Sequence, residues 1–170
     1  MEEMEVPTEH LSDEINERAE EVKRQKKWSF YVAISTALMA VFAAITSLMA
    51  GHHSNEALIE QIKASDQWNY YQAKGIKAEI LGLSNAKQTD SAHLIKYNND
   101  QQAIKKVAED HEKKSEVHLQ KHIILARSVT LFQIAIAISA ISVLTEKRPL
   151  WYLSIVLALI GAAFFIANYV

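Results

Sequence analysis

SFYVAISTALMAVFAAITSLMA, residues Ser29 to Ala50, contains no Asp, Glu, Lys or Arg. At roughly 20 residues it is long enough to cross a hydrocarbon core. Ser128–Leu144 and Leu150–Tyr169 share the property. Each block is apolar on every side rather than along one stripe, which suits a helix facing lipid and not a soluble helix burying one face. The 170 residues are 49% hydrophobic, with a mean hydropathy of −0.05. That average hides two populations, uncharged blocks and the charged segments between them. The fold class read from this is an all-α integral membrane protein: three transmembrane helices, with a long extramembrane helical hairpin between the first and second. Leu48 breaks the small-x-small pattern before Ala50 and Gly51, and the apolar stretch exceeds a usual signal h-region, so an uncleaved anchor is expected.

Composition removes several function classes. A net charge of −2, with no arginine stripe or recognised module, argues against nucleic acid. Without cysteine there is no disulfide, thiolate metal site, iron–sulfur cluster or thiol nucleophile. No Gly-x-Ser-x-Gly elbow, phosphate loop, Gly-x-Gly-x-x-Gly turn or His-Glu-x-x-His helix occurs. The expectation is a protein that is not an enzyme and needs no cofactor. The spans carry no charge or proline of the kind a coupled transporter uses at membrane depth. Gln133 and Asn168 are isolated polar residues suited to helix–helix hydrogen bonds.

The chain divides into six parts. Residues 1–28 form an amphipathic helical lead-in, with Thr8 as a cap after Pro7, Leu11, Ile15, Ala19 and Val22 at helical spacing, and Trp28 and Tyr31 at an interfacial belt. Residues 29–50 are the first span. Residues 51–127 form an extramembrane antiparallel hairpin, or stalk, broken between Gly82 and Asp90, with fresh caps at Thr89 and Asp90. Its arms, about 30 and 38 residues, would each reach roughly 45–55 Å at 1.5 Å per residue. Residues 128–144 are the second span, 145–149 a short basic loop with Pro149 suited to a first helical turn, and 150–170 the third span. Small residues line helix one (Ala33, Ala37, Ala40, Ala44, Ser47) and helix three (Ser154, Ala158, Gly161 or Ala162), as packing faces do in membranes.

In the first arm, Ala57, Ala64, Tyr71 and Ala78 recur every seven residues, with Gln61, Trp68, Gly75 and Gly82 between them. An isolated helix in water must bury a face, so Ala57, Ala64, Trp68, Tyr71, Gly75 and Ala78 are expected to pack copies of the chain together. Asp66 to Tyr70 and Tyr70 to Lys74 are four apart, a spacing that allows a hydrogen bond and a cation–π contact. Ser65, Asn69 and Gln72 share another face, where polar residues can fix register and oligomer state.

The run from Gln61 to Lys77, and above all Ser65-Asp-Gln-Trp followed by Tyr70-Tyr-Gln-Ala-Lys74, resembles the bacterial membrane-protein family named domain of unknown function 4337. The resemblance runs through most of the chain. It implies a bacterial inner-membrane protein of the same three-helix layout, and it carries no activity to transfer.

In the second arm His93, His111, His118 and His122 fall within about 20° of one line on a straight helix. Tyr97, Ile104, Val107, Ala108 and Leu125 lie beside that line, and Asp100 is its one charged residue. Three readings are open: neutral hydrogen-bonding seam residues, a response to pH, or a divalent metal bound by His118 and His122, four apart. Lys23, Arg24, Lys26 and Lys27 before the first span, with Lys147 and Arg148 in the second loop, place the N-terminus in the cytoplasm and the hairpin outside it. Two functions fit. One is a homo-oligomeric scaffold or interaction protein, its partners being its own copies, the lipid bilayer and an unidentified protein. The other is an oligomeric pore or ion- and pH-responsive assembly lined by helix two through Thr130, Gln133 and Ser139, or by the small-residue faces.

Overall fold

A computed structural model describes the backbone of residues 8–83 and 89–168 and the side chains of residues 13–83 and 95–168. Regular structure among them is helical: α1 (Thr8–Leu83), α2 (Thr89–Thr145) and α3 (Arg148–Ala167). Each contains a stretch long and apolar enough to cross a membrane, so the chain is a multi-pass, all-α membrane protein. The only prolines are Pro7 and Pro149, so nothing removes a backbone donor inside α1 or α2. Lead-in, first span and first arm are accordingly one helix of 76 residues, and second arm and second span one of 57.

Two compact units divide the chain. In the first, residues 1–44 and 128–163, α1, α2 and α3 pack through small and hydroxyl residues. Buried positions on α1 are Trp28, Val32, Met39 and Ala43; those on α2 are Ser128, Phe132, Ala135, Ser139 and Ser142. Such steps of three and four keep one face of each helix on its partner. The hydroxyls find hydrogen-bond partners locally or across helices: Thr36 Oγ1 lies 2.6 Å from Ser139 Oγ, and Ser35 Oγ accepts from Trp151 Nε1 at 3.1 Å. Phe42 stacks on Phe132, with ring centroids 6.2 Å apart.

Helix α3 closes on α2 at Gly161. Ser128 Oγ donates to the Gly161 carbonyl at 2.7 Å, and a Cβ at Gly161 would meet the Ser128 carbonyl oxygen at 3.3 Å and Leu131 Cβ at 3.4 Å. The α2–α3 connection is two residues long. Glu146 takes the left-handed conformation, φ 54°, and its N–H reaches the Val143 carbonyl at 3.4 Å, a helix C-cap usually given to glycine. Arg148 and Pro149, read in the sequence as loop, form the first turn of α3.

In the second unit, residues 45–127 and 164–170, the arms of α1 and α2 run antiparallel. Buried or half-buried positions on α1 include His53, Ala57, Glu60, Ala64, Gln67, Tyr71, Lys74 and Ala78. On α2 they include Tyr97, Gln101, Ile104, Ala108, His111, Ser115, His118, His122 and Leu125. Both rows advance by alternating three and four residues, the interval that keeps two long helices in contact as a left-handed pair.

Candidate functional site

The seam between the arms is polar along most of its length. Nearest the first span, His122 Nδ1 donates to the Ala50 carbonyl at 2.8 Å. Next, His118 and His53 meet Nδ1 to Nδ1 at 3.1 Å, ring centroids 5.3 Å apart. Beyond them Ser115 Oγ donates to the Ala57 carbonyl at 2.8 Å. His111 Nδ1 then donates to Glu60 Oε2 at 2.6 Å, while Lys63 Nζ holds the other carboxylate oxygen at 2.7 Å. Toward the far end Trp68 Nε1 donates to Glu112 Oε1 at 2.8 Å, and Gln101 Nε2 to the Tyr71 carbonyl at 3.1 Å. Lys74 pairs with Asp100 at 2.8 Å and lies over the rings of Tyr70 and Tyr97, 5.4 and 5.1 Å from their centroids.

Small residues make this possible. Ala57, Ala64 and Ala108 are buried and add little bulk of their own, so the helices approach closely enough for side chains to reach backbone carbonyls on the partner. Each such bond is worth only about 0.5–1.5 kcal/mol net, but a buried group left without one costs more. The ladder therefore fixes register more than it adds stability.

Three of the four seam histidines, His111, His118 and His122, do lie on the α1-facing side of α2, half-buried. The side chain of His93 lies outside the described residues. Asp100, the charged exception, is answered by Lys74. His118 and His122 turn their Nδ1 atoms to different partners, and among the described residues no group of three or more His, Asp or Glu is placed to hold a metal. Ala57, Ala64, Trp68, Tyr71, Gly75 and Ala78 are turned in varying degree toward α2 of the same chain: a Cβ on Gly75 would meet Gln101 Nε2 at 2.7 Å.

Glu60 and His53 went unnoticed in the sequence. Of the row expected between the alanines, Gln61 and Gly82 are exposed, whereas Glu60, one residue earlier than Gln61, is 8% exposed. Hydrogen bonds from Lys63 and then from His111 hold the Glu60 carboxyl down to about 2, against the opposing effect of burial. Burial lowers the His53 imidazole below its ordinary 6.5, and His118, Lys121 and His52 push the same way, with only Glu56 opposing. The signal available was position: Glu60 lies three residues after Ala57 and four before Ala64, and His53 four before Ala57.

Chemically, the seam can hold or move protons between imidazole and carboxylate, and it sets the alignment of two long helices. Residues 28–170 match the family described as domain of unknown function (DUF4337). No curated protein and no solved structure matches the chain.

Proposed function

Since the chain belongs to the DUF4337 family, whose description assigns no activity, we propose from its own geometry a non-enzymatic, homo-oligomeric scaffold of the bacterial inner membrane. In this reading the arm pair of 51–127 is an extramembrane hairpin on the far side of the membrane from a cytoplasmic N-terminus. The observation that carries self-association is a second face on α1, directed away from α2 and left exposed. In the span it consists of Ala33, Ala37, Ala40, Ala44 and Ser47; in the arm, of Leu58, Ile62, Ser65, Asn69, Ile76, Ile80 and Leu83. Both sets advance mostly by three and four residues, as the buried seams do.

Small residues at that interval let membrane helices approach closely, and in water an apolar stripe of this length needs a cover. Leu58, Ile62, Ile76 and Ile80 are each more than half exposed, and Ser65 and Asn69 between them would set register. Identical chains inserted in one orientation close most simply as a cyclic ring. The expected role of the inward residues Ala57, Ala64 and Gly75 changes accordingly: they align the two arms, and the outward face joins copies.

The test is native mass measurement in mild detergent. An oligomer is expected, weakened by Ala37→Leu with Ala40→Leu and by Ile62→Glu, and unaffected by lipid-facing Leu38→Ala. A parent protein that is only monomeric would end the proposal.

A second reading, a pH-responsive assembly, is favoured by the His53–His118 pair, since that Nδ1 to Nδ1 bond needs one unprotonated nitrogen. Of the residues expected to line a pore, Ser139 is fully buried against Thr36 within the chain, whereas Thr130 and Gln133 are exposed.

A further inference from the structure

Trp28 is 8% exposed, yet its indole Nε1–H has no acceptor. It lines a cavity of about 380 Å³ together with Glu21, Arg24, Gln25, Glu146 and Arg148. All six residues belong to the first unit. Trp28 immediately precedes the uncharged stretch that begins at Ser29, and Glu146 and Arg148 flank the turn between the other two spans. The cavity therefore lies where the apolar part of the helices ends, at the level of lipid headgroups.

We propose that this cavity binds the headgroup of an aminophospholipid. Arg24, Arg148 and the Trp28 N–H receive the phosphate, and Glu21 and Glu146 receive the primary ammonium. The charge set decides the ligand class. The Arg148 guanidinium and a buried donor without an acceptor call for an anionic oxygen, and Arg24, which pairs with Glu20 at 2.8 Å, has further N–H groups to add, because planar guanidinium forks match phosphate geometry and an unmet buried N–H is costly. A simple anion leaves Glu21 and Glu146 facing it; a simple cation leaves Arg148 and Trp28 unmet. A zwitterion with phosphate and ammonium a few atoms apart meets both.

A choline headgroup fits less well, since its quaternary nitrogen has no N–H to give a carboxylate and favours aromatic faces. Lys23, Lys26 and Lys27 with Phe30 and Tyr31 form an adjoining basic patch on α1 that meets the cavity at Arg24. That patch attracts anionic lipid without shape selection.

The experiment uses the full chain, reconstituted with equal parts of phosphatidylethanolamine, phosphatidylglycerol and phosphatidylcholine. Lipid retained through purification in mild detergent is then read by native mass measurement. Phosphatidylethanolamine should be retained at least fivefold over phosphatidylcholine. Trp28→Phe and, separately, the surface substitution Arg148→Gln should each remove most of that preference, while Lys26→Gln with Lys27→Gln leaves it unchanged. If Trp28→Phe fails to fold, Arg148→Gln decides alone. Retention of phosphatidylglycerol over phosphatidylethanolamine that persists in the lysine variant, or no selective retention, would overturn the site. Binding of soluble phosphoethanolamine without any retained lipid would overturn the lipid as its source.

Discussion

His53 and His118 face each other Nδ1 to Nδ1 at 3.1 Å across the two arms. One nitrogen must donate and the other accept, so the contact exists only while at least one imidazole is neutral. Burial, with His118, Lys121 and His52 as neighbours, lowers the His53 pKa from 6.5. A histidine lowered in the folded state contributes fully above its unfolded value and loses that contribution as pH falls through 6.5 toward the folded value. The purified protein should therefore melt lower at pH 5.5 than at pH 7.5. Loss of one such bond, about 1 kcal/mol, corresponds to roughly 2–4 °C in a chain of this size. His53→Asn should flatten that slope. Equal slopes in parent and variant would remove His53 from any pH response.

Glu60 works in the opposite range. Its carboxyl, held at about 2 by Lys63 and His111, contributes above the ordinary glutamate value of 4.5 and loses that contribution as pH falls toward 2. An acid transition between pH 4.5 and 2 is expected in the parent. Glu60→Gln should be less stable at pH 7, because a carboxamide gives up the charge that Lys63 and His111 hold, and it should lack that acid limb. Melting curves across pH 2–7 for both proteins check this; superimposable acid limbs would count against it.

Two glycines should respond differently to alanine. At Gly75 the new methyl meets only the end of the Gln101 side chain, at 2.7 Å, and a flexible amide can swing aside. The helix gains about 1 kcal/mol from Gly→Ala and loses one amide bond to the Tyr71 carbonyl, about 0.5–1.5 kcal/mol. The sum is near zero. At Gly161 the methyl meets the Ser128 carbonyl oxygen at 3.3 Å and Leu131 Cβ at 3.4 Å, neither of them the end of a flexible side chain, so an overpacking cost of about 1–3 kcal/mol outweighs the same helix gain of about 1 kcal/mol. Thermal melts should show Gly161→Ala clearly destabilised and Gly75→Ala almost unchanged.

The spans were legible because hydropathy blocks need no partner to be recognised: Ser29–Ala50 reads as membrane-crossing on its own. The break expected between Gly82 and Asp90 falls on residues 84–88, which lie outside the described residues; the chain is helical up to Leu83 and again from Thr89. The seam was legible in its alanine row on α1 and its histidine line on α2, but not in the polar residues of α1 that answer those histidines. Stepping four from Ala57 reaches Gln61 and stepping three reaches Glu60, and a charged residue looks like surface until Lys63 and His111 are seen around it. His53 was illegible for a related reason: its partner is 65 residues away, and nothing local marks an exposed-looking histidine as half of a pair. The site beside Trp28 needed the α2–α3 turn brought against α1, which no periodicity in the sequence records.

Orientation rests on basic residues near span ends, and the helix order makes it testable. Lys23, Arg24, Lys26 and Lys27 precede the first span, and Lys147 and Arg148 lie between the second and third. If every apolar stretch crosses, these two clusters fall on one side and the arms on the other. Positive charge close to short loops is retained in the cytoplasm, whereas long segments translocate largely regardless of charge. Lys113, Lys114, Lys121 and Arg127 in the second arm therefore weigh less, and Lys114 is in any case paired with Asp110 at 2.6 Å. The chain has no cysteine, so single cysteines report without background. Glu17 and Gln102 are both exposed and suit the purpose. In intact cells made permeable only at the outer membrane, a membrane-impermeant maleimide should label Gln102→Cys and reach Glu17→Cys only after the inner membrane is opened. Labelling of Glu17→Cys alone would invert the topology and place the His53–His118 seam in the cytoplasm.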